Sequence, residues 1–269
     1  HHPAGHFDLF YGTPSEGNAK ALALHKQNRF VVTRQFAYSL DEARRALDLG
    51  LFINGLPIAT FELKNSLTKQ TVDDAVEQYK RDRDPREKLF EFGRCVVHFA
   101  VDDSEVRMCT QLAGKASWFL PLNKGHNDGA GNPSNPLGLK TDYLWREVLT
   151  PGRLLRILQS FAMRETDSRL VFPRYHQLRA VEKITDDVRA QGAGGRYLVW
   201  HSAGSGKTKT IAWLAHRLSR LFADDGEKVF DSVLVISDRR VLDDQLRRAV
   251  NLLDAAKDYV VGVGEKSGA

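Results

Sequence analysis

Apolar residues recur along the first half of the chain in short runs. Those at 30–35, 47–53, 57–63, 95–101 and 106–112 are rich in Val, Ile, Leu and Phe and have the length of strands. Asn54-Gly55 separates the second run from the third, and this dipeptide favours a tight hairpin turn. Residues 71–83, TVDDAVEQYKRDR, open with Thr and two Asp and then turn basic, the charge order a helix dipole favours. The stretch 123–136, crowded with Gly, Asn and Pro, predicts irregular backbone. An amphipathic segment at 150–161, TPGRLLRILQSF, begins with a Thr-Pro pair suited to a helix N-terminus and leads into a polar stretch. Beyond it the pattern alternates: helix 176–190, strand 196–200, helix 206–221, strand 232–236 and helix 240–253. Such alternation predicts a parallel α/β sheet. The expected division is a domain at 1–149, a helical connector at 150–167 and a second domain at 168–269.

Composition narrows the class. The chain has 269 residues, 42% hydrophobic, 27% charged and 9% aromatic, which excludes disorder, collagen and coiled coil as whole-chain readings. No apolar run approaches the roughly 18 residues of a membrane helix, and the run at 95–101 is interrupted by His98, expected to be a core histidine. Two cysteines, Cys95 and Cys109, supply neither a disulfide framework nor a cysteine zinc site. They are expected as inert core thiols of a cytoplasmic protein. Lys plus Arg number 39 against 34 for Asp plus Glu, a net +5 that permits a polyanionic partner without requiring one.

Residues 197–208, YLVWHSAGSGKT, run an apolar strand into a Gly-rich turn and then a helix. Lys207 stands where its ammonium reaches a β- or γ-phosphate of ATP, and Thr208 where its hydroxyl holds Mg²⁺. Gly204 and Gly206, with Ser205 between them, let backbone N–H groups approach the phosphates. The strict P-loop pattern fails at its first position, which is His201. Upstream, Gln177 in FPRYHQ offers an amide to the edge of adenine; downstream, VLVISDRR ends a strand in Asp238-Arg239-Arg240. This arrangement resembles superfamily 2 helicases, with an adenine-reading Gln, a Walker A segment and a motif Ia that touches nucleic acid. A Walker B segment and a second RecA-like domain are not found. The resemblance therefore implies an amino-terminal fragment of a motor, lacking productive ATPase activity.

Residues 47–65, LDLGLFINGLPIATFELKN, hold a second constellation. Glu62 and Lys64 point to one side of a period-two strand, and a hairpin brings Asp48 near Glu62. Two hard carboxylates suit Mg²⁺, which accepts a phosphate oxygen, while Lys64 orients the attacking water and stabilises developing charge. Acid-x-Lys alone carries little information, and its weight comes from the apolar strands around it.

The longer string resembles the PD-(D/E)xK nuclease core in the restriction subunit of type I restriction-modification enzymes. DAVEQY at 74–79, FLPLNKG at 119–125, GAGNP at 129–133 and YLW at 143–145 agree with it, as does the continuation from FPRYHQ into the Gly-rich turn. The resemblance implies an α/β chain, with an endonuclease domain followed by the start of a RecA-like motor. It makes Asp48 and Glu62 metal ligands and Lys64 the catalytic lysine. Many members carry Gln-x-x-x-Tyr in the next helix; here Gln78 directly precedes Tyr79, and Tyr79 is taken as the match. An additional acid before the hairpin would be Glu16 or Glu42, and Lys80, Arg81 and Arg83 would meet DNA phosphates. The implied function is Mg²⁺-dependent double-strand DNA cleavage coupled to ATP-driven translocation, in a complex with methylation and specificity subunits. Alternatives are another nuclease-helicase fusion in DNA repair or phage defence, or a non-cleaving DNA translocase.

Overall fold

The computed structural model describes residues 9–14, 18–39, 45–127, 129–166, 169–223, 226–237 and 240–253. It is a mixed α/β structure of two compact units that divide between Arg174 and Tyr175. The first unit contains α1 (Ala19–His25), β1 (Phe30–Ala37), β2 (Ala46–Ile53), β3 (Leu56–Leu63), α2 (Val72–Asp82), β4 (Val97–Val101), β5 (Val106–Cys109), β6 (Leu120–Pro121), a π-helical turn at Leu144–Val148, α3 (Pro151–Ser160), β7 (Met163–Thr166) and β8 (Arg169–Val171).

Strands β1 to β6 lie side by side in sequence order, and every adjacent pair is antiparallel except β3 and β4. Asn54 and Gly55 both take positive φ, +52° and +84°, so the turn between β2 and β3 follows the right-handed twist of its strands. Pro57 has no N–H to give the ladder, and the β2–β3 register shifts where Phe52 faces it. Because β3 and β4 are parallel, the chain must cross over between them, and α2 is that crossover. Asp74 reaches back to the backbone N–H of Thr71 at 2.7 Å in a capping box, and the helix runs from Asp73 and Asp74 to Lys80 and Arg81. Val72, Ala75, Val76 and Tyr79, spaced at one helical face, are buried in a core with Leu47, Ala100 and Cys109.

Alternation along β3 sends Phe61 the other way. It stacks on Phe99 of β4 at 5.2 Å and meets Trp145 at 5.1 Å, while Phe99 also meets Phe172 edge-on at 5.9 Å. This packing draws the segment expected as a connector at 150–167 into the first unit, where Leu154, Leu155, Ile157 and Phe161 are buried. The Asn-rich stretch is irregular yet pinned. Buried Asn132 accepts from Lys124 N and donates to Ser104 O and Asn123 Oδ1.

The second unit contains α4 (Tyr175–Gln191), α5 (Lys207–Leu218) and α6 (Arg240–Leu253), close to their expected bounds. The expected strands at 196–200 and 232–236 do not form a sheet; both segments lack ladder partners among the described residues. Each keeps a strand's alternation. Tyr197 and Val199 are 42% and 39% exposed, whereas Leu198 and Trp200 are both 92% exposed, and Leu234 and Ile236 are likewise open. An extended run of about five residues gains no backbone hydrogen bonds by itself, so without neighbours it remains coil, with alternate side chains only less exposed than the others. Among the described residues no helix is long and apolar enough to cross a membrane.

A polar chain runs through the first core. Thr60 Oγ1 lies 2.8 Å from the Tyr79 hydroxyl and 2.7 Å from His98 Nδ1, all three groups being buried. Burial pushes His98 down to about 3, so the ring is neutral, and the expectation of a core histidine holds. Burial likewise raises the Cys95 thiol to about 12 and Cys109 to about 11, which makes both inert. Thr60→Val, nearly isosteric, strands both Tyr79 and His98 and should cost about 2–4 kcal/mol of stability. Urea denaturation is the check, and an unchanged midpoint would show that the polar chain contributes nothing.

Candidate functional site

The site begins where β2 and β3 separate. Leu49 pairs with Phe61 and Gly50 with Thr60, so the same register carried one residue further sets Asp48 opposite Glu62. Asp48 Oδ2 accepts the Leu63 N–H at 2.7 Å. On the β1 side Gln35 takes a left-handed φ of +48°, and its amide reaches toward Asp48 Oδ1 at 3.5 Å. Non-glycine residues rarely adopt that conformation, and such strain gathers at functional positions. The backbone of Lys64 continues the parallel pairing through a bond from its N–H to Val101 O at 2.8 Å.

Glu62 and Lys64 both reach toward α2, as their two-residue spacing requires. Lys64 Nζ donates to Gln78 Oε1 at 2.6 Å. Glu62 is fully buried, and its Oε1 accepts from Arg83 Nε at 2.6 Å. Its second oxygen, Oε2, is buried with no hydrogen-bond partner. Removing a carboxylate from water outweighs the pull of one guanidinium. Burial therefore raises Glu62 from 4.5 to about 7, with the Asp48 charge adding to the rise and Arg83 and Lys64 opposing it. An orphaned, buried carboxylate oxygen beside a second carboxylate is a fitting place for a divalent cation.

The cation expected here is Mg²⁺, and the donor set suits it. Among the described residues no group of three or more His, Cys, Asp or Glu side chains could hold a metal. Mg²⁺ commonly takes one or two carboxylates and completes its shell with water and phosphate oxygens. Asp48 and Glu62 match that pattern. The alternatives for an additional acid, Glu16 and Glu42, lie outside the described residues.

Tyr79 of α2 and Arg83 just beyond its end lie elsewhere than expected. Tyr79 is fully buried, with its hydroxyl on Thr60 and its ring against Phe119 and His98, and no bond joins it to Asp48, Glu62 or Lys64. The helical neighbour that does reach Lys64 is Gln78. Arg83, expected to meet DNA phosphates, is instead buried at 6% exposure against Glu62. It follows the last helical residue in extended backbone, φ −107° and ψ 99°, which turns its side chain inward. Lys80 and Arg81 both pair with Glu77, and Arg81 remains largely exposed. Gln35, Gln78 and Arg83 are thus the site residues that sequence reasoning missed or misplaced. Only the glutamine beside Tyr79 left a signal.

The second unit carries the Gly-rich turn. Gly204 and Gly206 take φ of +72° and +84°, and α5 begins at Lys207 with no acidic residue in its first turn, leaving an end suited to an anion. Lys207 Nζ donates to the carbonyls of Ser202 at 2.9 Å and His201 at 3.3 Å, which folds the ammonium across the turn. Ser205 is buried between the two glycines, and Thr208 is half-buried in the first turn of α5. Gln177 is buried and donates to Gly206 O at 3.0 Å; a Cβ on Gly206 would stand 2.4 Å from that amide nitrogen. His201, in place of the expected glycine, packs edge-on against His176, whose Nε2 lies 3.0 Å from Ser205 O. Asp238 and Arg239 lie outside the described residues.

Residues 17–117 match the family described as type I restriction enzyme R protein N terminus, and residues 176–264 match the SWI2/SNF2 ATPase family. Curated relatives include the type I restriction enzyme HindI endonuclease subunit of Haemophilus influenzae, 28% identical over 81% of this chain and 21% of the relative. A type I restriction enzyme endonuclease subunit of Staphylococcus aureus, SauCOLORF180P, is 29% identical over 84% of this chain and 22% of its own length. The chain spans about a fifth of the length of these relatives.

The raised Glu62 carboxyl has a consequence for stability. The folded state holds this proton more tightly than the unfolded chain, so the contribution is fully present below about 4.5 and is lost as pH rises through about 7. The loss should approach on the order of 3 kcal/mol. Glu62→Gln should flatten this part of the pH–stability curve in urea titrations, and Mg²⁺ should restore stability above pH 7 in the wild type only. An identical pH dependence in the two proteins would show that Glu62 is not the group responsible.

Proposed function

From the premise that this chain is a relative of the endonuclease subunits of type I restriction enzymes, we propose that its first unit is a PD-(D/E)xK endonuclease domain. Its second unit we read as the start of a RecA-like, ATP-driven DNA motor. The observation that carries the reading is the convergence of Asp48, Glu62 and Lys64 at the β2–β3 edge, with one Glu62 oxygen left over for a cation. The substrate is double-stranded DNA, and the partners are the methylation and specificity subunits that recognise the target.

When bound, Mg²⁺ supplies Lewis-acid stabilisation of charge on the phosphate. Asp48 and Glu62 would hold it, Glu62 through Oε2. The Lys64 ammonium, kept in place by the Gln78 carbonyl, orients the attacking water and faces the charge that develops on the non-bridging oxygens. The water oxygen bonds to phosphorus as one bridging P–O bond breaks, and a proton lost by that water passes through solvent to the leaving oxygen, which ends as a hydroxyl beside a phosphate monoester. Apolar strands behind the site exclude water from the Glu62 side. In the second unit, Lys207 would exchange its carbonyl partners for ATP phosphates, Thr208 would hold the nucleotide's Mg²⁺, and Gln177 would read adenine. The open faces at Leu198, Trp200, Leu234 and Ile236 suit strands that await sheet neighbours.

In the full restriction complex, Asp48→Ala and Lys64→Ala should abolish DNA cleavage while ATP hydrolysis continues. Lys207→Ala should abolish ATP hydrolysis. Gln78→Ala should lower the cleavage rate about ten- to hundred-fold. Gel assays of linearised plasmid alongside phosphate release read both activities, and undiminished cleavage by the Asp48 variant would refute this site.

A further inference from the structure

A buried guanidinium bridges the two strands that carry the acids. Arg83 donates from Nε to Glu62 Oε1 at 2.6 Å, from Nη2 to Ala46 O at 2.9 Å and from Nη1 to the Tyr38 hydroxyl at 3.3 Å. Its Cζ lies 5.5 Å from the centre of the Tyr38 ring, and that ring rests on Phe90 at 4.8 Å. Ala46 stands two residues before Asp48 on β2, and Glu62 lies on β3. One rigid fork is therefore bonded both to the Glu62 carboxylate and to the backbone that leads into Asp48.

We propose, building on the two-carboxylate cation site above, that Arg83 is a positioning residue that makes Glu62 a one-oxygen ligand and so selects small octahedral cations over Ca²⁺. The argument is one of donor count. Ca²⁺ takes six to eight oxygens at longer distances and often binds a carboxylate through both oxygens, whereas Mg²⁺ and Mn²⁺ accept a compact octahedral shell. With Oε1 occupied by Arg83, Glu62 offers Oε2 alone. The bond from Nη2 to Ala46 O limits the freedom of β2 to move away from β3, so the site cannot readily widen for a larger ion. A guanidinium suits this task because its donors lie in a fixed plane and it remains charged when buried. Arg83 touches neither the cation nor DNA in this arrangement; it acts through Glu62.

Competition between Mn²⁺ and Ca²⁺, without DNA or nucleotide, tests the proposal in the full chain. Bound Mn²⁺ is followed by electron paramagnetic resonance while Ca²⁺ is added. Arg83→Met frees Oε1, and Ca²⁺ should then displace Mn²⁺ at a concentration about ten-fold lower than in the wild type. Arg83→Lys, which can still donate to Oε1, should stay close to wild type. Circular dichroism verifies folding, and Arg83→Leu, which likewise carries no donor, replaces the Met variant if that one does not fold. A merely structural arginine would weaken both cations together and leave their ratio unchanged, and that outcome overturns the proposal. Asp48→Asn separates the two readings. If it binds Mn²⁺ as the wild type does, the cation site itself is wrong; if it loses Mn²⁺ while Arg83→Met keeps the wild-type ratio, only the role of Arg83 is wrong.

Discussion

The burial of one carboxylate governs the architecture of the first unit. Glu62 has no solvent exposure, and an ionised group in that position is costly unless cations and hydrogen bonds surround it. Arg83 answers half of the demand, through one oxygen. The other oxygen is unsatisfied, which a fold built for stability alone would avoid. Replacing a buried ion pair by apolar residues is often neutral or stabilising, so such a pair is weak support for a purely structural role. The unsatisfied oxygen is what supports the proposed reading of Glu62 as a cation ligand.

Several elements exist to keep that carboxylate in place. The parallel β3–β4 pairing fixes the strand end, with Glu62 beside Ala100 and Lys64 N bonded to Val101 O. The crossover this pairing demands is α2, whose capping box sets its start and whose far end delivers Gln78 to Lys64 and Arg83 to Glu62. Between the two lies Tyr79, anchoring the helix to Thr60 in the core. The charged cluster at the β2–β3 edge and the hydrophobic core therefore share one helix: its apolar stripe packs, and the residues flanking that stripe reach the charged groups. Across the sheet, Phe61 and Phe99 bury the opposite face, so the acid-bearing strand is supported from both sides.

The second unit follows a different economy. Its helices and Gly-rich turn are formed, and Gly204 and Gly206 take the positive φ that the turn needs. Its apolar extended segments stay largely open, with alternate residues only less exposed. Helices satisfy their backbone groups locally, whereas strands depend on neighbours distant in sequence, and this difference accounts for which of its elements are complete. The histidine at the first position of the turn is not a defect in the loop. His201 packs on His176, and its carbonyl accepts from Lys207.

By itself the sequence determined whatever depends on local chemistry. Asn54-Gly55 specified the hairpin, Thr71 with Asp74 the start of α2, and the two-residue spacing of Glu62 and Lys64 their common side. Asp48 followed from the hairpin, because antiparallel register is set by the turn. What only the tertiary structure decided were contacts between elements far apart in the chain. Gln78 rather than Tyr79 meets Lys64, because helix rotation depends on how the apolar stripe docks, and one position along a helix is about 100° of turn. Arg83 looked like a surface cation at the end of a basic helix; the departure of the backbone from helical geometry turned it inward. The strand pattern at 196–200 and 232–236 was legible, but a pattern names a candidate for a sheet and supplies no partner for it. Propensity and periodicity act within a dozen residues, while ladders, docking angles and buried charge pairs are settled only when the whole domain closes around them.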